Sequence, residues 1–317
     1  NHSNIILETT SKTDVMASVR FFQLLSLIAS FACIFASMPP PFTRELKVTS
    51  PYQTGNDVLI AQTLLKRDDA VDKNLVADGI FGSQSATAVM NFQAAVGLKS
   101  TGVLDEVSAQ KLLDLHSADG YKDSGFTAES MGYLYKFHIP VHKNRSIETF
   151  STLYDAKGNV LLKFRVRTHG HRGDGTTQAW PDFGDGDIGL TELASSGNTV
   201  TGLVEMDLNS PEPDPDLYGP WPINRIVRGL DGNAALLLPN IRDGILIHTG
   251  NWTTSTQVWD ESKDMPNSSG CIHGHPTDVE NIYNILVGLG VKVNDNTYSG
   301  KNYPYKAQGV GVIELID

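Results

Sequence analysis

The sequence predicts a multidomain chain: a small all-α three-helix domain followed by a mainly β domain. Three observations carry this reading. Apolar residues recur at spacings of three and four between Asp57 and Leu115. A polar, Gly-containing stretch at 117–131 then reads as a linker. Beyond it the pattern alternates with period two, as in Tyr133 to Val141, and turns carry Gly and Asn.

Composition sets the outer limits. The chain has 317 residues, with 29 Gly, 15 Pro, 2 Cys and a formal net charge of −11. That is enough for one large domain or two smaller ones. It excludes a disulfide framework, a Cys-rich zinc module and a collagen-like or disordered chain. With 25 Lys and Arg against 36 Asp and Glu, no basic surface is visible for phosphates, so nucleic acid is not an expected partner.

Residues 1–37 read as upstream sequence and a signal peptide. Met16 reads as the true start and Arg20 as the single cation of a short n-region, with an almost wholly apolar run from Phe21 to Ala36 after it. Ala36 and Ser37 offer a cleavage point, and Pro39-Pro40-Pro41 stops any helix beyond. The alternative is an uncleaved anchor, for which the run is short against a span of about 20 residues. Cleavage removes Cys33 and leaves Cys271 alone. A lone Cys in a secreted chain is an intermolecular partner or a thiol kept for its chemistry. The expected location is secreted or extracytoplasmic, with no stable membrane insertion after cleavage.

The first domain spans 42–116. After a polar lead-in to residue 54, Val58, Leu59, Ala61, Leu64 and Leu65 mark a first helix. Ala86, Val89, Met90 and Phe92 mark a second, ending near Gly97, and Val107 to Leu115 a third. Between them lie two turns, Asp78-Gly79-Ile80-Phe81-Gly82 and Thr101-Gly102-Val103-Leu104-Asp105. These turns, with Ala88-Val89, Phe92-Gln93 and Gly97-Leu98, resemble the peptidoglycan-binding-like three-helix domain. The resemblance implies a noncatalytic cell-wall-targeting module, with Asp78, Gly79, Phe81 and Gly82 in its wall-binding part. The alternative is that these residues only hold the small fold together.

The second domain spans 132–317. Ile147 to Leu153 and Val160 to Val166, joined by Asp155 to Asn159, read as strand, turn, strand. Residues 169–198 and the proline-stiffened 209–222 read as long loops, which in a compact domain are usually functional. Leu236-Leu237-Leu238 and Ile245-Leu246-Ile247 read as buried strands, and Thr277 to Leu289 as an amphipathic helix capped near Thr277 or Asp278.

Two segments carry chemistry: Ile245-Leu246-Ile247-His248-Thr249-Gly250 and Asn267-Ser268-Ser269-Gly270-Cys271-Ile272-His273. The first puts a His at a strand end. The second puts Cys271 after a glycine turn, before a helix. A Cys nucleophile needs a base to make thiolate. It also needs backbone N–H groups for an oxyanion, and a Ser-Gly turn can expose them. Each residue alone is more often structural; both at this spacing reverse that balance.

These residues resemble the L,D-transpeptidase catalytic domain, in which a His-x-Gly segment precedes Ser-His-Gly-Cys. His248-Thr249-Gly250 and Ser268-x-Gly270-Cys271 match it, and Asn198 to Val204 is a loose version of its Thr-Pro-x-Gly segment. Ser269 stands where a second His is usual, and His273 where Arg is usual. The resemblance implies that Cys271 attacks a peptidoglycan stem peptide at its third residue and passes the acyl group to an amine or to water. His248 would be the base, its ring oriented by the carbonyl near Thr249. Ser269 and Gly270 would form the oxyanion loop, and Gly250, Trp252, Ser268 and His273 would contact substrate, with His273 and His275 at the rim. The expected partners are stem peptides and glycan; no cofactor or metal is expected.

Other readings remain. One is a noncatalytic peptidoglycan-binding or recognition protein, suggested by Ser269 and His273. Another is a zinc peptidase using His169, His171 and Asp174, for which a Glu base at metallopeptidase spacing is missing. Asp182, Asp185 and Asp187 match a calcium loop only in acidity. Asn144, Asn251 and Asn267 begin glycosylation sequons.

Overall fold

The computed structural model describes residues 38–171, 191–253, 258–296 and 302–317. The proposed signal peptide, Cys33, Asp174 and the acidic triplet at Asp182, Asp185 and Asp187 lie outside the described residues. Among the described residues no helix is long and apolar enough to cross a membrane.

The helical module comprises β1 (Gln53–Thr54), α1 (Asn56–Leu65), β2 (Ile80–Phe81), α2 (Ser83–Ala95) and α3 (Glu106–His116), with β1 and β2 antiparallel. Its core takes the residues that the helical spacing selects: Val58, Ala61, Leu64 and Leu65, Val89 and Phe92, Leu112 and Leu113. Asp105 caps α3 by accepting from the Ser108 N–H at 2.9 Å. The polar lead-in is part of the fold rather than an appendage. Phe42 and Leu46 are buried, and Leu46 bridges Leu104.

Two buried glutamines fasten the two turns. The Gln62 side chain accepts from the Gly79 N–H and donates to Asp78 Oδ1, the Ile80 carbonyl and Ser85 Oγ. Gln93 does the same for the second turn, accepting from the Thr101 and Gly102 N–H groups and donating to the Val103 carbonyl. A buried amide that satisfies a whole turn is costly to lose.

The β domain is a closed barrel of β3 (Tyr135–Val141), β4 (Thr149–Asp155), β5 (Val160–Arg167), β6 (Gly202–Asn209), β7 (Ile223–Asp231), β8 (Leu246–His248), β9 (Ile272–Gly274) and β10 (Gly309–Leu315). Around the barrel the order is β10-β3-β4-β5-β9-β8-β7-β6. Closure removes exposed strand edges. The interior is filled by Phe137, Phe164, Val204, Met206, Ile226, Ile247, Ile272 and Ile313 among others.

Short helices α4 (Pro215–Tyr218) and α5 (Gly232–Leu237) and the longer α6 (Pro276–Gly288) decorate it. Three expectations need correction. Leu236-Leu237-Leu238 is the end of α5 and its cap, not a strand; Asp231 caps this helix by accepting from the Gly232 N–H. A short apolar run does not distinguish strand from buried helix. The cap of α6 is His275, with Pro276 opening the helix. The 209–222 loop contains one helical turn, α4, capped by Asp214.

Residues 117–131 lie against the barrel. Tyr121 and Phe126 pack with Ala128, Leu203, Val310 and Val312, and Asp119 accepts from Thr201 and from the Asn233 N–H.

Candidate active site

The site is built on a pair of short parallel strands. β8 and β9 align Ile247 with Ile272 and His248 with His273. Side chains alternate along a strand, so Ile247 and Ile272 enter the barrel core while their neighbours face the other way. Leu246, His248, Cys271 and His273 therefore share one face. Twenty-three positions of sequence separation collapse into adjacent strands.

The imidazole of His248 is fixed by its neighbour. Nδ1 lies 2.7 Å from the Thr249 carbonyl oxygen. A carbonyl only accepts, so Nδ1 carries the proton and Nε2 keeps its lone pair. Burial pushes the His248 pKa down to about 4, against a smaller upward pull from that hydrogen bond. The ring is a neutral base at pH 7. His273 is fixed in the same way, Nδ1 to the Pro266 carbonyl at 2.8 Å, and burial likewise lowers its pKa.

Around these rings runs an aromatic ladder. Tyr218 lies 4.9 Å from His248, His248 is 4.7 Å edge-on to His273, and His273 is 4.8 Å from Trp252. Trp252 meets Trp259 edge-on at 4.8 Å, and Trp259 lies 5.8 Å from His275. Trp252 is fully buried behind His273, with φ +48 and no partner for its indole N–H. Gly250 is required there, since an added Cβ would meet Trp252 Nε1 at 2.3 Å. Neither His273 nor His275 is a solvated loop residue; both are buried.

Cys271 is the free cysteine among the described residues, 9% exposed, beside Ile223 and Leu246, with Tyr218 packed against that cluster. Its thiol donates to the Gly244 carbonyl oxygen at 3.5 Å. Burial pushes its pKa up to about 11; a hydrogen bond from the Leu246 N–H and the charges of Arg242 and Arg225 pull the other way. The resting thiol is therefore protonated.

The turn before it is held by carbonyls and hydroxyls. Ser268 Oγ donates to the Cys271 carbonyl at 2.8 Å and accepts from the Gly270 N–H at 3.0 Å. The Gly270 donor is thus engaged within its own turn at rest. Ser269 is exposed, its Oγ 2.9 Å from His171 Nε2. Gly270 sits at φ +108, and a Cβ there would meet Arg242 at 1.9 Å, so only glycine fits.

Four supports lie outside the two motifs that carry His248 and Cys271. Arg242 donates to the Gly197, Asn198 and Ser269 carbonyls. Thr199 donates to the Gly270 carbonyl at 2.9 Å. Tyr218 covers His248, and its loop is tied down by Glu212 paired to Arg225 at 3.1 Å. Thr199 falls in the loose Thr-Pro-x-Gly-like segment, and Glu212 and Tyr218 in the proline-stiffened loop, but nothing local marks Arg242 or Arg225.

In the module, Asp78 and Gly79 are spent on the turn, and Phe81 is core. Beside them a pocket of about 210 Å³ is lined by Tyr52, Val76, Ile80, Gly82 and Gln84. Tyr52, Val76 and Ile80 are exposed.

Residues 54–112 match the family described as a putative peptidoglycan binding domain. No curated protein matches the chain. Among solved structures the chain is similar to an L,D-transpeptidase from Xylanimonas cellulosilytica DSM 15894, at 18% identity, 87% of this chain and 100% of that one covered, and TM-score 0.26. It is similar to an L,D-transpeptidase (Yku) from Stackebrandtia nassauensis at 13% identity, with 82% and 91% covered and TM-score 0.27. A fused Zn-dependent amidase/peptidase/peptidoglycan-binding domain-containing protein from Clostridium acetobutylicum ATCC 824 gives 13% identity, 85% and 99% coverage and TM-score 0.23. With TM-scores this low, the family match and the residues of the site carry the functional reading.

Proposed function

We propose that the chain is a secreted, L,D-transpeptidase-like cysteine acyltransferase acting on peptidoglycan stem peptides. The observation that carries this is the register of β8 and β9, which sets His248 and Cys271 on one face beside a glycine turn. The Cys271 sulfur attacks the carbonyl carbon of the third stem residue as its proton passes to His248 Nε2. The bond to the fourth residue breaks, and its amine leaves with that proton. The thioester is then resolved by an amine, giving a crosslink, or by water, giving a tripeptide.

Thr249 supplies the carbonyl that orients the His248 ring. The turn of Ser268, Ser269 and Gly270 holds the oxyanion once the Gly270 N–H is released from Ser268. Gly250, His273 and Trp252 shape the floor beside the base. The helical module keeps the enzyme on the wall through Tyr52, Ile80 and the Asp78–Gly82 turn. With a net charge of −11, that binding rests on a shaped site rather than on bulk attraction. Incubation of the mature protein with a tetrapeptide-stem muropeptide, read by mass spectrometry, gives dimer or tripeptide, and Cys271→Ala gives neither.

A second reading, a noncatalytic wall-binding protein, is favoured by one observation: the thiol is buried and its pKa is pushed up to about 11. It predicts sedimentation with insoluble peptidoglycan and no product in the same incubation.

A further inference from the structure

A chain of polar side chains, half-buried at Arg67 and buried beyond it, joins the helical module to the turn that carries Cys271. Arg67 follows α1 in the module. Its guanidinium donates to the His116 carbonyl at 2.7 Å and to Asn233 Oδ1 at 2.6 Å. Asn233 is fully buried at the start of α5 and donates in turn to the Glu192 carboxylate.

From Glu192 two branches converge on one turn. In the first, the Glu192 carbonyl accepts from Arg242 at 2.7 Å, and Arg242 donates to the Ser269 carbonyl at 3.1 Å. In the second, the Glu192 carboxylate faces Arg145 at 3.6 Å; Arg145 donates to the Thr199 carbonyl, and Thr199 donates to the Gly270 carbonyl. Glu192, Arg145 and Arg242 are all buried, so each depends on its partners for the solvation it has lost. Removing the first link leaves the buried Asn233 Oδ1 without its donor, and with it the hold on the Asn233 amide that donates to Glu192, whose other partners are Thr201 and Arg145. The module has no residue of its own at the thiol, yet the carbonyls on both sides of Gly270 hang from a network that the module closes.

We propose that Arg67 is a positioning residue for the Cys271 turn, acting through Asn233, Glu192 and Arg242. The wall-binding module is then part of the machinery that holds the nucleophile, in addition to its targeting role. The inference rests on Cys271 being the reactive group, but its test reads the thiol itself and needs no acyl transfer.

The experiment uses the full mature chain. Iodoacetamide alkylation of Cys271 is followed against pH by intact mass, and amide hydrogen exchange is read across residues 268–273. In Arg67→Met, exchange at this turn and alkylation at pH 8 rise about tenfold, the factor expected when a hydrogen bond to a charged group no longer holds the turn closed. Asn233→Ala cuts the chain one link further on and gives the same change. Arg67→Lys, which keeps a donor cation, restores most of the protection. Arg44→Met, which breaks the exposed module ion pair to Asp57, leaves both readouts as they were. If Arg67→Met and Asn233→Ala lower the melting temperature while alkylation and exchange at the turn stay unchanged, the proposal is overturned and Arg67 only staples two domains. If Arg44→Met produces the same rise as Arg67→Met, the effect is general loosening and the proposal is likewise overturned.

Discussion

His248 and His273 stand opposite each other across the parallel strands β8 and β9, edge to face, with ring centroids 4.7 Å apart. Each donates its Nδ1 proton to a backbone carbonyl, and each is buried and neutral. A proton on either ring would face the other ring, with no carboxylate among the described residues acting on either.

This pair makes stability fall with acid. The His248 pKa is about 4 in the folded chain against 6.5 unfolded, so the unfolded state binds the proton first as pH drops. Stability is full above about pH 6.5 and is lost between there and pH 4. His248 alone accounts for on the order of 3 kcal/mol of that loss, and His273 adds in the same direction. Urea unfolding at pH 7, 5.5 and 4.5 measures it. His248→Asn flattens the slope; an unchanged slope in that variant contradicts the assignment.

The thiol is expected to be sluggish at rest. Its pKa is raised to about 11 by burial, so the alkylation rate of the free protein climbs through pH 9 and 10 rather than levelling near 8. A profile with its midpoint at or below pH 8 would show that an ion pair with His248 already exists without substrate. Tyr218→Ala uncovers the cluster beside Cys271 and speeds alkylation at fixed pH, at a stability cost of about 1–2 kcal/mol for truncating a half-buried aromatic ring.

Gly270 tolerates nothing larger. The φ of +108 and the overlap with Arg242 act together, so Gly270→Ala costs about 2–4 kcal/mol and breaks the grip of Arg242 on the turn. Thermal unfolding reads the first effect, and faster exchange at residues 268–273 reads the second. A variant with wild-type melting and wild-type exchange would remove Arg242 from the account.

In the helical module, packing and binding separate cleanly. Tyr52→Ala and Ile80→Ser alter exposed side chains and leave stability within about 0.5 kcal/mol, yet they reduce sedimentation with insoluble peptidoglycan. Gln62→Ala removes the buried amide that accepts from the Gly79 N–H and holds the turn, and costs about 1–3 kcal/mol. Normal sedimentation by both surface variants would move the binding surface elsewhere on the module.

What the sequence made legible was local. The three helices followed from apolar spacing, because Val58, Leu65, Phe92 and Leu112 all face one small core. His248 at a strand end and Cys271 after a glycine turn followed from motif spacing. The packing of the lead-in was not legible, because Phe42 and Leu46 are isolated apolar residues in a polar stretch, with a partner at Leu104 that no window contains. Leu236-Leu237-Leu238 failed because its helix is set by one cap, Asp231, and not by periodicity. Thr199 was marked only by the loose Thr-Pro-x-Gly-like segment, and the roles of Tyr218 and Arg242 were invisible for the same reason as that of Arg67: each reaches the Cys271 turn or the His248 ring from a distant segment. Trp252 was legible as a neighbour of the His248 segment but not as a buried residue, since burial depends on its stacking behind His273.

Whether Cys271 forms an acyl-enzyme is read from the mass of the intact protein after exposure to a tetrapeptide stem peptide. The expected result is an adduct equal to the tripeptide acyl group, mapped to Cys271, absent in Cys271→Ala and strongly reduced in His248→Asn. An unmodified mass at every time point, with no tripeptide or dimer released, would contradict it.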